Sequence, residues 1–118
     1  MGRKMRKIAK IFKAVGDVNR LRILKMLELG PMCVYRIAHV LGLSQSATSR
    51  HLRILEDAGL VLRRRTGLLV RYSLSRDRGT YLAPELLELI SECTSGDPTA
   101  AQDMRRAKEV KRNPASGP

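Results

Sequence analysis

Three clusters of side chains in this sequence could do chemistry. Residues 44–53, "SQSATSRHLR", gather Ser44, Gln45, Ser46, Ser49, Arg50, His51 and Arg53. Gln and Arg can each make paired hydrogen bonds to a planar polar edge, and Ser adds short donors and acceptors. Arg63, Arg64, Arg65 and Arg71 follow soon after. A guanidinium fork matches phosphate or carboxylate geometry. Cys33 and Cys93 are the two thiols, open to metal ligation, disulfide formation or other redox chemistry. The parts of a catalytic site are missing. There is no Gly-rich phosphate loop, no paired-His metal motif and no nucleophile–base pair, and His39 and His51 are the only histidines. These residue types point to binding and not to an enzyme.

The bulk numbers narrow the partner. The 118 residues suit one domain with a modest core. Formal net charge is +12, from 23 Lys and Arg against 11 Asp and Glu. That balance predicts an anionic partner, nucleic acid or a membrane surface. Residues 1–13 carry Arg3, Lys4, Arg6, Lys7, Lys10 and Lys13 with no acid. Residues 50–76 carry seven Arg against Glu56 and Asp57, whereas residues 80–118 are near neutral. The chain has no Trp, one Phe and three Tyr. So few aromatic platforms argue against single-stranded nucleic acid. No apolar run approaches a membrane span, and the basic N-terminus leads into no signal-like apolar stretch. A cytoplasmic protein without a membrane partner is the expectation. Two cysteines are too few for a disulfide framework.

The elements that must position these groups read mostly as helices. Ile8, Ile11, Phe12 and Val15 predict an amphipathic helix over about 4–15, ended by Gly16. Asp17 caps a second helix with a Val18, Leu21, Leu24 and Leu27 stripe, and Gly30-Pro31 breaks it. A third helix runs through Val34, Ile37, Ala38 and Leu41 to Gly42. Ser44 caps a fourth, which continues to about Ala58, and Gly59 stops it. The period then changes to that of strands, with a hairpin of about 60–65 and 69–74 around Thr66-Gly67. "SRDRGT" reads as a loop. A fifth helix, "YLAPELLELISEC", places Leu82, Leu86, Leu89, Ile90 and Cys93 along one side. Asp97-Pro98 opens a sixth helix to about Val110, and "NPASGP" reads as disordered. Residues 1–95 are expected to form the binding and dimerisation domain, with 96–118 as a C-terminal helix and tail.

The third and fourth helices meet at "GLS", a short turn of helix-turn-helix type. Thr48, Leu52 and Leu55 must face inward. Gln45, Ser46, Ser49, Arg50 and Arg53 are then left outside. Such a surface fits a major groove, with Gln45 paired to adenine, Arg50 to guanine, and Ser44 with the helix N-terminus holding a phosphate. His51 could touch DNA or pack inward; His39 reads as a surface residue or one satisfied by its neighbours. The hairpin is placed as a wing, its tip carrying Arg63, Arg64, Arg65 and Arg71 toward phosphates or a minor groove. A merely solvated, capped helix start would use similar residues. The hairpin, the arginine cluster and the net charge favour the contact surface.

Residues 16–74 resemble the ArsR/SmtB family of winged-helix repressors. The matching pieces are "D-x-x-R-L-x-I-L", "LGLSQSATSRHLRIL", and "AGLV-x-R-R" ending in "V-x-Y-x-L". The resemblance implies a mostly α fold with a small β-hairpin, a winged helix-turn-helix of four helices, a β-wing and a fifth helix. It also implies a homodimer built from the first and fifth helices. Double-stranded operator DNA would be the partner, released when an inducer, arsenite or a metal ion among others, engages cysteines or histidines. The apolar sides of the first and fifth helices independently favour dimerisation.

The resemblance leaves the signal open. Arsenic-sensing relatives carry "C-V-C" at the third helix, whereas this chain has "CVY", with Tyr35 in place of the second thiol. Relatives that bind zinc-like ions between paired fifth helices use Asp and His there, and here both histidines lie upstream. Redox-sensing relatives pair a fifth-helix Cys with one in the second helix, where this chain has Lys25. Cys33 and Cys93 stand either as sensor thiols or as small apolar side chains. The other reading of the whole chain is a sequence-tolerant architectural DNA-binding protein, its affinity set by charge alone.

Overall fold

The structure, a computed structural model, describes residues 2–76 and 82–112, with side chains through residue 110. The helices are α1 (Arg3–Val15), α2 (Val18–Met26), α3 (Val34–Leu41), α4 (Gln45–Asp57), α5 (Ala83–Cys93) and α6 (Pro98–Arg112). A 3-10 turn, Leu27–Leu29, extends α2. The strands are β1 (Met32–Cys33), β2 (Val61–Thr66) and β3 (Leu69–Leu74), in the antiparallel order β1-β3-β2. The expected tail over 113–118 and most of the expected "SRDRGT" loop lie outside the described residues.

Short polar residues and glycines set the boundaries. Asp17 accepts from the Arg20 amide and caps α2. Gly42 takes φ 72° after α3, and the Leu43 amide reaches back to the Ala38 carbonyl. The same closure ends α4, where Gly59 has φ 79° and the Leu60 amide reaches the Leu55 carbonyl. A left-handed residue in this place lets the chain turn while satisfying the last helical carbonyls.

A single core binds the elements. Ile23, Met26, Ile37, Val40, Leu52, Leu55 and Leu60 are fully buried. The α2 stripe differs from the sequence expectation: Val18 is 72% exposed, and Ile23, Leu24, Met26 and Leu27 are the buried residues. Val18 opens the helix ahead of the layer that covers it. Further along, α2 is packed by α1, α3, α4, α5 and α6 together, so more than one stripe is inside.

Strand β1 and the packing of the expected sixth helix go beyond the sequence reading. Strand β1 pairs Met32 with Tyr72 and Cys33 with Arg71, which makes the wing a three-stranded sheet. Helix α6 buries Ala100, Asp103, Ala107 and Val110 at helical intervals, and Ala107 and Val110 join the common core. Asp103 receives two hydrogen bonds from Arg22 on α2, from Nε at 2.8 Å and from Nη2 at 2.9 Å. Arg36 on α3 donates through Nε to the Ala107 carbonyl at 2.9 Å. The sixth helix is thus bolted to the back of the helix-turn-helix.

Candidate nucleic-acid interface

The recognition surface starts at a cap. Ser44 Oγ accepts from the Ala47 amide at 3.1 Å, and Thr48 Oγ1 donates to the Ser44 carbonyl at 2.9 Å. The first bond satisfies one amide of the opening turn of α4, and the second ties Thr48 back to the cap. Thr48, Leu52 and Leu55 are each 0% exposed. Their burial fixes the rotation of the helix about its axis. Gln45, Ser46, Arg50 and Arg53 are consequently exposed, and Ser49 is half-buried. The polar residues of "SQSATSRHLR" therefore occupy the side facing away from the core, apart from Thr48 and His51.

His51 is half-buried on the flank of α4, and its Nδ1 lies 3.1 Å from Arg20 Nη1. Arg20 also donates through Nε to the Ala14 carbonyl at 2.6 Å and through Nη2 to the Lys13 carbonyl at 3.3 Å. Partial burial works to raise the Asp17 carboxyl. The bond from the Arg20 amide and the Arg20 charge outweigh it and hold the pKa below the ordinary value of 3.8. The sequence reading passed over Arg20. Its only sequence signal is the "D-x-x-R" spacing at the start of α2.

The wing arginines separate by face. Arg63 pairs with Tyr72 and Arg65 with Val70, whereas Arg64 pairs with Arg71. Directly opposed residues share a face, so Arg64 and Arg71 project together on the face away from buried Tyr72. All four arginines are exposed. The tip itself is Gly67-Leu68, with Gly67 at φ 64°, the first position of a two-residue hairpin loop. The expectation that the arginines sit at the tip is corrected accordingly: they line the strands, and Arg65 Nε donates back to the Gly67 carbonyl.

The thiols lie in unlike settings. Cys33 is buried, 7% exposed, at the junction of β1 and α3, and Cys93 is exposed at the last residue of α5. Both are free. Burial lowers the pKa of Arg36, and neighbouring Cys33 pulls the other way. Lys25 Nζ lies 3.4 Å from the Ser91 carbonyl, so that part of α2 borders the end of α5 that carries Cys93. His39 is exposed and stacks with Tyr35 at 6.5 Å between ring centroids. Among the described residues no group of three His, Cys, Asp or Glu could hold a metal ion.

The profile of the bacterial regulatory protein, arsR family, matches residues 17–62, the span from the α2 cap to the start of the wing. An uncharacterized HTH-type transcriptional regulator of Methanocaldococcus jannaschii is 43% identical over 90 residues, which is 75% of this chain and 97% of that protein. The chain belongs to the arsR family. This regulator is also 44% identical over 66 residues to the arsenical resistance operon repressor of Escherichia coli, and spans 56% of that protein's length. Its fold matches the homodimeric winged helix-turn-helix DNA-binding domain from Mycobacterium bovis at a TM-score of 0.66 and 27% identity, covering 77% of this chain and 81% of that one. It is a DNA-binding transcriptional regulator and not an enzyme. No helix among the described residues is long and apolar enough to cross a membrane.

Proposed function

We propose that the regulator is a repressor that binds a two-fold-symmetric operator as a homodimer and lets go when an inducer engages its thiols. The observation that carries the DNA contact is the division of α4, with Thr48, Leu52 and Leu55 sealed inside while Gln45, Ser46, Arg50 and Arg53 stand outside. In this reading Gln45 pairs with adenine and Arg50 with guanine. Ser46 and Ser49 let the helix approach closely, and Ser44 with the helix N-terminus holds a phosphate. Arg53 and the wing residues Arg63, Arg64, Arg65 and Arg71 neutralise phosphates or enter a minor groove.

Dimerisation is supported by the apolar surface that one chain leaves open. Met5 and Phe12 on α1 are 64% and 56% exposed, and Leu89 on α5 is 54% exposed. The Mycobacterium bovis relative is homodimeric. Two copies would set their recognition helices about one turn of DNA apart, roughly 34 Å. The dimer would act in the cytoplasm, where its operator is.

A thiol-reactive inducer is supported by the exposure of Cys93 at the end of α5. Arsenite or a metal ion is the other inducer class, in keeping with the Escherichia coli relative's name. The test is a gel shift on the DNA upstream of the regulator's own gene, with and without arsenite, divalent metals, persulfide and oxidant. Release should occur with one of them and disappear in Cys33→Ser or Cys93→Ser. Release that survives both substitutions eliminates the thiol mechanism. Equal affinity for operator and scrambled duplex eliminates the sequence-specific reading.

A further inference from the structure

We infer that His51 is a phosphate-binding residue whose tautomer is set by Arg20, so that Arg20 acts as a positioning residue for the DNA interface. The inference rests on the DNA-binding reading of α4 and adds a donor that the exposed face of that helix does not include.

The argument starts from the donor inventory of arginine. A guanidinium only donates hydrogen bonds and keeps its proton in proteins. Arg20 Nη1 faces His51 Nδ1 at 3.1 Å. Nδ1 must therefore be the acceptor, and the ring is neutral with its proton on Nε2. The neutral tautomer is chosen by the partner of the other nitrogen. Nε2 lies on the opposite side of the imidazole from Nδ1, so its N–H points away from Arg20. Among the described residues nothing accepts from it, and no buried side-chain nitrogen lacks a partner. The donor is therefore open to solvent, on a helix already oriented toward an anionic ligand.

Arg20 is well fixed for this task. Its Nε and Nη2 donate to the Ala14 and Lys13 carbonyls at the end of α1, at 2.6 and 3.3 Å. These are helix-terminal acceptors that would otherwise need water. Its own amide is held by the Asp17 carboxylate at 3.1 Å. One residue thus ties the end of α1, the cap of α2 and the flank of the recognition helix, the cap through its amide and the other two through its side chain. His51 is presented by three elements, and little rotamer freedom is left to lose when it binds. A phosphate oxygen is the acceptor that fits, because it lies beside a recognition helix in any sequence and forms strong charge-assisted bonds with a neutral N–H.

Two amide substitutions separate the two ring nitrogens. His51→Asn places an acceptor near the Nδ1 position and deletes the outer donor. His51→Gln carries its amide out to the Nε2 position and deletes the inner acceptor. Binding of the full chain to the upstream duplex, and to a scrambled duplex, is read by fluorescence anisotropy over a salt series. His51→Asn should bind both duplexes about ten-fold more weakly. Its salt slope should stay unchanged, because a neutral donor releases no counterion. His51→Gln should bind within a few-fold of wild type. Wild-type binding by His51→Asn overturns the inference, as does a ten-fold loss in His51→Gln alone. Long-range 1H–15N correlation of the wild-type imidazole needs no variant. A proton on Nε2 is expected, with Arg20→Met giving a tautomer mixture, and a proton on Nδ1 in wild type overturns the inference. Arg64→Ala serves as the control. If it weakens binding and His51→Asn does not, only the role of His51 fails. If neither weakens binding, the DNA reading of this surface fails with it.

Discussion

Arg64 and Arg71 are direct partners across the β2–β3 ladder, so two guanidinium groups leave the same face of the wing side by side. Cys33 on β1 occupies the next place in the same row. Like charges opposed across a sheet destabilise it. Neither arginine has an acidic partner among the ion pairs of the described residues. The arrangement costs the free protein something and gains when an anion lies across it. Arg64→Thr should therefore leave stability unchanged or raise it by about 0.2–1 kcal/mol. DNA affinity should fall for all sequences alike, with the slope of log K against log salt shallower by about 0.9. Thermal melts and a salt titration check the two halves. A loss confined to one operator sequence would mean that Arg64 reads a base.

Arg50 should behave in the opposite way. It is exposed on α4 one turn beyond Gln45 and Ser46, on a helix whose rotation is fixed by buried Thr48 and Leu52. Arg50→Ala should reduce discrimination at one base position by about 1–3 kcal/mol, while binding to scrambled DNA changes much less. Competition against single-base operator variants measures this. Equal weakening on every variant would place Arg50 on a phosphate.

The parts of this interface that were legible in the sequence are those with local causes. Ser44, Gly42 and Gly59 mark the ends of α3 and α4 because capping and left-handed turns depend on a few neighbouring residues. The inward set Thr48, Leu52 and Leu55 follows from helical period alone. Strand β1 was illegible because two residues carry no periodicity. It is a strand only because Tyr72 and Arg71 pair with it. The expected hairpin boundary is off by one residue: the loop is Gly67-Leu68, Thr66 belongs to β2, and the arginines line the strands two to four residues from that loop. In a sheet, a shift of one residue changes which side chains share a face. Arg22, Arg36 and Asp103 carry no local sign of burial, since their partners are distant in sequence, up to 81 residues away. Helical pattern pointed to dimerisation, but the dimer's geometry and the signal depend on a second chain or a ligand, and local pattern encodes neither.

Asp17 carries a pH-dependent share of stability. Its carboxylate caps α2 through the Arg20 amide, and its pKa lies below the ordinary value of 3.8. A lowered carboxyl pKa contributes stability above the unfolded value, and the contribution is lost as pH falls through the folded value. Asp17→Ala should cost about 1 kcal/mol at neutral pH. The two proteins should converge in stability as the solution is acidified below 3.8. Urea melts across that range test it, and a difference that persists undiminished in acid would remove the ionised cap from the account. Because Arg20 is held by the same cap, Asp17→Ala should also weaken the hold on His51.

The Arg22–Asp103 pair is the last case, and it concerns whether α6 is part of the working domain. Asp103 is 3% exposed at its side chain and Arg22 23%, with both carboxylate oxygens bonded. Removing the acid leaves a largely buried guanidinium without its fork partner. Breaking a buried pair from one side typically costs about 3–5 kcal/mol, and the partial exposure of Arg22 places this case at about 3. Asp103→Ala should therefore lose about 3 kcal/mol in urea unfolding. Arg22→Met with Asp103→Leu should recover most of it, because two apolar side chains replace two desolvated charges. The unfolding should remain a single transition in every variant, since Ala107 and Val110 share one core with α2 and α3. Two separated transitions, or no loss in Asp103→Ala, would show that α6 is an appendage. A loss of stability with intact operator affinity at saturating protein would show that α6 braces the fold without shaping the interface.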